Sequence, residues 1–220
     1  MTDPLKNKKE TNSSSSDVAI SHTESSNSSS DTGVSNTRAV RADALAAART
    51  TLLSGARLDM AALACELGIG RATLYRWTGD RERLINEVFL TFLQDSFGWI
   101  ERRVAREKVE GAELIARWVE HMMHTLAKSA SVEHLLHNEP DVALRVLTSD
   151  SAGSLQDTSM EKLVSIITQE VDKGTYVPRL EPRLLAYAIV RLVDSFVYGD
   201  MIAGIDINHG AASKIIRSLL

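Results

Sequence analysis

From Val40 onward, apolar residues recur at three- and four-residue spacing almost to the end of the chain, the period of helices that bury one face. Val40, Ala44, Leu45, Ala48 and Leu52 predict one amphipathic helix of about four turns that stops at Ser54-Gly55. Asp59 is a good N-cap for a second helix over 60–67, which Gly68 ends, and a third covers 71–77. Thr78-Gly79-Asp80 breaks that helix, and Asp80 caps a long fourth one. Its broad apolar face carries Leu84, Ile85, Val88, Phe89, Phe92, Leu93, Phe97, Ile100 and Val104. Gly111 separates a fifth helix, with Leu114, Ile115, Trp118, Val119, Met122 and Leu126. Shorter helices follow near 131–137 and 139–149, then a Ser/Gly/Asp loop at 149–154. Helices near 156–173 and 181–203 are parted by Lys173-Gly174 and Pro178, and a last one covers 208–219. Strand-like alternation is absent, so the expected class is all-α.

Residues 1–37 break this pattern. They are Ser-rich with almost no large apolar residue, too little to offset the entropy of ordering, and are expected to be a disordered tail. The pattern divides the rest into a module at 38–83 and a larger one at 84–220. No run approaches the ~18 apolar residues that a membrane span needs, and the first ten residues lack an apolar signal region. The single cysteine, Cys65, has no internal disulfide partner, which fits a reducing cytoplasm. We expect Cys65 to be packed as a small apolar residue.

The formal net charge of −4 hides a segregation. Residues 38–83 carry eight arginines against five acids, net +3, whereas 84–220 carry −5 and 1–37 carry −2. A short positive module joined to a negative one suggests that only the first meets a polyanion. Its cations are all arginines, the side chain shaped for forked phosphate or guanine contacts.

Within that module, residues 63–75 (LACELGIGRATLY) read as helix–turn–helix. Ala64 permits close helix approach, Gly68 takes the positive φ that ends a helix, and Ile69 plugs the corner. Leu74 then faces inward, leaving Arg71, Ala72, Thr73, Tyr75 and Arg76 outward at the start of a thin helix. Major-groove reading requires this arrangement.

The stretch from Ala44 to Val88 resembles the DNA-binding domain of the TetR family of bacterial repressors. The resemblance rests on LAxxLGI-x-RATLYRW-x-GDRERL: the corner, the Thr-Leu-Tyr-Arg-Trp recognition helix and the Gly-Asp-Arg-Glu start of the fourth helix. It implies a homodimer on double-stranded operator DNA, with a C-terminal domain that holds a small ligand and loosens DNA when occupied. Carried over by position, Gly70, Arg71, Ala72, Thr73, Tyr75 and Arg76 would sit at the DNA, Thr73 and Tyr75 chiefly on phosphates. Arg81 would meet the backbone from the fourth helix and Arg41 from the first. Departures exist. Gly70 stands where the family often has a Ser or Thr cap, Thr78 replaces a usual aromatic, and the loop at 55–58 is about one residue short. Asp59 stands where Thr is common and would repel phosphate if it pointed outward. A weaker resemblance, through Tyr-Arg-Trp-x-Gly-Asp-Arg-Glu, is to the QsdR-type regulators of lactone-degrading operons, which implies a γ-lactone with an alkyl chain as effector.

Phe92, Phe97, Trp99, Trp118, Met122 and Met123 offer bulky, adaptable walls for an apolar cavity, with Asn138, His121, Tyr176, Tyr198 and Asp200 as candidate polar handles. The expected effector is small and apolar or amphiphilic, such as a lactone, an acyl compound or an aromatic. Helix 181–203 is apolar nearly all round and needs two partners. With Ile166 and Ile167 it is expected to form half of an intermolecular four-helix bundle through Leu185, Ile189, Leu192, Val193 and Phe196; the alternative is a helix central to its own domain. The pairs His121/His124 and His134/His137 have i, i+3 spacing suited to a metal, but no cysteine accompanies them, and no metal or other cofactor is expected. Neither a P-loop, nor a dinucleotide turn, nor a nucleophile in a recognisable setting occurs, so no enzyme is expected. The expected whole is a cytoplasmic, dimeric, ligand-responsive repressor. The alternatives are an α-helical ligand or metal carrier that ignores DNA and an acyl-lipid enzyme in a helical bundle.

Overall fold

The computed structural model describes residues 31–149 and 152–220, with side chains from Arg41 onward. Residues 1–30, most of the Ser-rich segment, lie outside the described residues. Helices run in the order α1 (Asp31–Leu53), α2 (Met60–Glu66), α3 (Arg71–Thr78), α4 (Arg81–Glu107), α5 (Gly111–Ala127) and α6 (Ala130–Asn138). There follow α7 (Pro140–Thr148), α8 (Leu155–Asp172), α9 (Pro182–Asp194), a π-helical turn (Ser195–Gly199), α10 (Asp200–Ala203) and α11 (His209–Leu219). No strand occurs among the described residues, and the fold is all-α.

Polar residues at the helix starts explain where the helices begin. The Asp59 carboxylate accepts the Ala61 and Ala62 N–H groups at 2.6 and 3.0 Å, and Asp80 accepts Arg83 N–H at 2.8 Å. Glu181 and Asn208 do the same for α9 and α11. Each such cap contributes about 1 kcal/mol. Pro140 and Pro182 open α7 and α9, where a missing N–H costs nothing.

Ala44, Ala48, Leu52, Leu63, Ala64 and Leu74 of the first three helices, with Leu58 of the α1–α2 loop, close around Leu84, Ile85 and Val88 at the start of α4. The same helix then runs on into a second bundle, packing against α5, α7 and α8. One rigid element therefore belongs to both cores. At the far end of α4, Gly111 has φ +60°, and a Cβ there would lie 2.3 Å from the Thr175 carbonyl oxygen. Its N–H donates to the buried Glu170 at 2.7 Å, which also receives Lys173 Nζ at 2.6 Å and the Thr175 hydroxyl at 2.9 Å. That knot ties the start of α5 to the end of α8.

Two features depart from the sequence pattern. The backbone of α1 is helical from Asp31, well before the apolar period begins at Val40, because residues 31–39 carry almost no apolar period for the pattern to show. The helix expected over 181–203 runs without a break from Pro182 to Ala203, but it widens into a π turn at Ser195–Gly199.

Candidate nucleic-acid interface and ligand cavity

The α2–α3 corner is built by its backbone. Gly68 has φ +65°, its N–H bonds to Cys65 O at 3.1 Å, and Ile69 N–H reaches Ala64 O at 3.0 Å. An L-residue there would carry left-handed strain. Gly70 precedes α3 without any side-chain cap bond, so the first N–H groups of α3 stay available. Leu74 and Thr78 are buried, the Thr78 hydroxyl donating to Leu74 O at 3.0 Å. That hydroxyl bond explains how a threonine fills a position under α3. Arg71, Ala72, Tyr75 and Arg76 are exposed, Tyr75 to 46%, and Thr73 is half-buried beside them. Neither Arg71 nor Arg76 forms an ion pair among the described residues. The outward set expected on α3 is thus brought together on one face.

Other expected contacts are placed differently. Arg81 points inward: its Nε donates to Leu58 O at 2.6 Å and its guanidinium pairs with Glu139 at 2.6 Å. Arg41 pairs with Glu87 at 2.6 Å. Asp59 turns its carboxylate to the N–H groups of its own helix, and those bonds hold it below the usual carboxylate range. Cys65 is exposed rather than packed, because Leu63 and Ala64 already occupy the inner face of α2.

A cavity of about 90 Å³ lies inside the second bundle. Phe89, Phe92 and Leu93 of α4, Trp118 and Met122 of α5, Val132 of α6, Leu147 of α7 and Val193 of α9 form its apolar wall. Gln156, Asp194 and Tyr198 form a polar end. Gln156 Nε2 donates to Asp194. Burial pushes the Asp194 carboxyl up to about 7, against the opposing pull of Arg191 and Gln156. Burial, with the Asp194 charge, also raises the Tyr198 phenol.

Of the expected lining residues, Phe92, Trp118, Met122 and Tyr198 reach the cavity and the others do not. Phe97 packs behind it against Trp118, rings 5.5 Å apart. Trp99 is 45% exposed with Arg103 5.4 Å from its ring. His121 bonds to Glu107 at 2.7 Å, and Met123 lies in the core away from the cavity. Tyr176 donates to Leu220 O at 3.1 Å. Asn138 lines a separate cleft with Leu52, Gly55 and His134, and Asp200 accepts Asn208 N–H. A 3.6-residue period gives a side chain's face but not which of several inner surfaces it meets. Gln156 and Asp194 went unnoticed in the sequence. The available signal was Asp194, a lone acid inside an apolar run.

Correction is also needed on α9. Ile166, Ile167, Leu185, Ile189 and Val193 are buried within the protomer, and Leu192 and Phe196 are half-buried. The chain's own bundle covers the buried five, with α8 and α9 packed chiefly on each other, while Leu192 and Phe196 keep part of their surface exposed. Outward on α9 stand Leu184 and Tyr187, 53% and 49% exposed, with Arg191 5.3 Å from the Tyr187 ring. The histidines meet other neighbours: His124 lies 6.1 Å from His209 between ring centres, and His134 packs on Gly55. No group of three metal-binding side chains gathers among the described residues. No helix among the described residues is long and apolar enough to cross a membrane.

A helix–turn–helix joined by a shared helix to an all-α bundle with an internal cavity defines a class, the ligand-binding transcriptional regulators. Residues 110–220 match the family of tetracyclin repressor-like C-terminal domains, and the chain belongs to the TetR family. Among solved structures it is similar to the transcriptional repressor QsdR of R. erythropolis, from the TetR family: 27% identity, TM-score 0.72, covering 83% of this chain and 95% of that one. Comparison with curated proteins gives no match.

Proposed function

We propose that the chain represses transcription by binding operator DNA as a homodimer in the cytoplasm, and that a small apolar or amphiphilic effector in the cavity releases it. The outward face of α3 carries this reading. Arg71 and Arg76 present unpaired guanidinium groups suited to guanine edges or phosphates, and Thr73 and Tyr75 present hydroxyls suited to phosphates. Gly70 and Ala72 add no bulk that would hold the helix start away from the groove. Residues 38–83 are the DNA-binding unit and 84–220 the ligand and dimer unit. The dimer face is the outward side of α8 and α9 around Leu184 and Tyr187, and two half-sites about 34–36 Å apart multiply the weak reading of one short helix.

Coupling follows from α4. Phe89, Phe92 and Leu93 line the cavity on the same helix whose first turns complete the helix–turn–helix core. Arg49 of α1 sits 4.3 Å from the Phe92 ring and bonds to Thr91 and Asp95 at 2.7 and 2.8 Å. The cavity is smaller than the ~300–1,000 Å³ of drug-sized sites, so an effector must move these walls to enter. A coupling free energy on the order of 1–3 kcal/mol is expected. A γ-lactone or acyl compound as effector, and genes of lactone catabolism as targets, fit the resemblance carried by the GDRE segment.

A gel shift against the DNA upstream of the chain's own gene tests the reading. Wild type should retard it, and Arg71→Ala and Tyr75→Ala should do so only at higher protein concentration. An α-helical carrier predicts ligand uptake with no retardation by any of the three.

A further inference from the structure

Two arginines of the DNA-binding unit are tied to Glu139, at the corner between α6 and α7, and they are not tied alike. The Arg81 side chain is 20% exposed and holds Glu139 at 2.6 Å, with its Nε on Leu58 O at 2.6 Å. The Arg57 side chain is 77% exposed and reaches the same carboxylate at 3.5 Å. An exposed pair of that length contributes little, and Arg81 keeps Glu139 paired when Arg57 leaves it. Arg57 therefore lets go at small cost.

The backbone that carries Arg57 is fixed on both sides. Gly55 has φ +73°, with the His134 ring 2.7 Å from where a Cβ would stand. Leu58 is buried, and Arg81 holds its carbonyl. The guanidinium is thus the loose end of a fixed stem.

That stem stands where the DNA backbone passes. Arg57 lies two residues before Asp59, the N-cap of α2, and α2 is the first helix of the motif, the one that crosses the backbone of the duplex. The Asp59 carboxylate is lowered first by the Ala62 and Ala61 N–H groups and then by the charges of Arg71 and Arg57. Arg57 and the first residue of the recognition helix thus flank one cap. Asp59 takes two of the first N–H groups of α2, and its own charge repels phosphate, so a cationic side chain is needed to hold the strand there.

We infer that Arg57 is a phosphate contact that changes partners, resting on Glu139 in the free chain and moving to the DNA backbone in the complex. The inference rests on the chain binding DNA. Arg81, held by both Leu58 O and Glu139, stays in place throughout. The contact carries no base preference, because a phosphate presents the same oxygens at every base pair.

Fluorescence anisotropy tests it, with the full chain on two labelled duplexes, the region upstream of its own gene and a random sequence of equal length, over about 0.05–0.3 M salt. Arg57→Gln should reduce the slope of log affinity against log salt by about 0.9 per bound protomer. It should weaken both duplexes by the same factor, within about twofold, and leave the melting temperature unchanged. Arg57→Lys should keep the wild-type slope. Arg106→Gln, which removes the same charge at the far end of α4, should keep it too. An Arg57→Gln slope equal to that of the wild type, or a loss confined to the upstream duplex, overturns the inference. A lowered melting temperature with an unchanged slope also overturns it and makes Arg57 a strut between the domains. Wild type that binds neither duplex overturns the DNA-binding reading itself, whereas wild type that binds with a slope indifferent to Arg57 overturns the partner change alone.

Discussion

Replacing Asp194 with asparagine removes the only carboxyl that lines the cavity while keeping its shape and its acceptor for Gln156. In the folded protein burial moves this carboxyl from 3.8 to about 7. A raised carboxyl contributes stability that is complete below its unfolded value and is lost as pH rises through the folded one. At about 1.4 kcal/mol per pH unit, the interval from 3.8 to about 7 corresponds to at most roughly 4 kcal/mol. Residual solvent contact and relaxation reduce that to an expected 1–3 kcal/mol, about the usual worth of a partly screened group. Other acids slope the opposite way: Arg117 and His121 hold Glu107 down to about 2, which adds stability above about 4.5 that is lost toward about 2. That slope is common to both proteins, so the difference between them isolates Asp194. Urea unfolding should be followed from about pH 4 to about pH 8, at one protein concentration because assembly adds mass action. Near about pH 4 the two proteins should agree within about 0.5 kcal/mol, and at about pH 8 the variant should be the more stable. Parallel curves, or a variant weaker at the alkaline end, would refute the burial argument.

Gly111→Ala should lower stability by about 3 kcal/mol or more in the same assay, since left-handed strain adds to a contact with the Thr175 carbonyl. Gly68→Ala, with open space around the added methyl, should cost only about 1–2 kcal/mol; equal costs would show that the contact is relieved elsewhere. Arg71→Ala should reduce operator affinity by about 1–3 kcal/mol in fluorescence anisotropy with an unchanged melting temperature. Arg81→Ala should instead lower the melting temperature, because it removes the closer of Glu139's two arginine partners, leaving Arg57 at 3.5 Å, and leaves Leu58 O without its donor. A variant that loses DNA affinity with full stability would return Arg81 to the DNA face. Tyr187→Glu should shift the sedimentation coefficient toward that of a monomer, and a shift absent at micromolar protein would move the dimer face off α9.

Local signals in the sequence settled the helices. Asp59, Asp80, Gly68 and Gly79 are punctuation whose effect spans one turn, and the apolar period from Ala44 to Val104 marks an inner face without needing to know what covers it. The outward set on α3 was legible for the same reason, since burial of Leu74 fixes the opposite side of a short helix. Partners across space were not legible. Arg81 and Arg71 are the same residue type ten positions apart, yet one is held by Glu139, fifty-eight residues away, and the other is not. Ile189 would look the same in sequence whether a second copy or its own α8 covered it, because both demand only apolar surface. Trp99, Tyr176 and Asn138 missed the cavity, and Asp194 entered it, because a cavity is defined by where several helices fail to meet. That is set by packing among α4, α5, α8 and α9, which no one-dimensional period encodes.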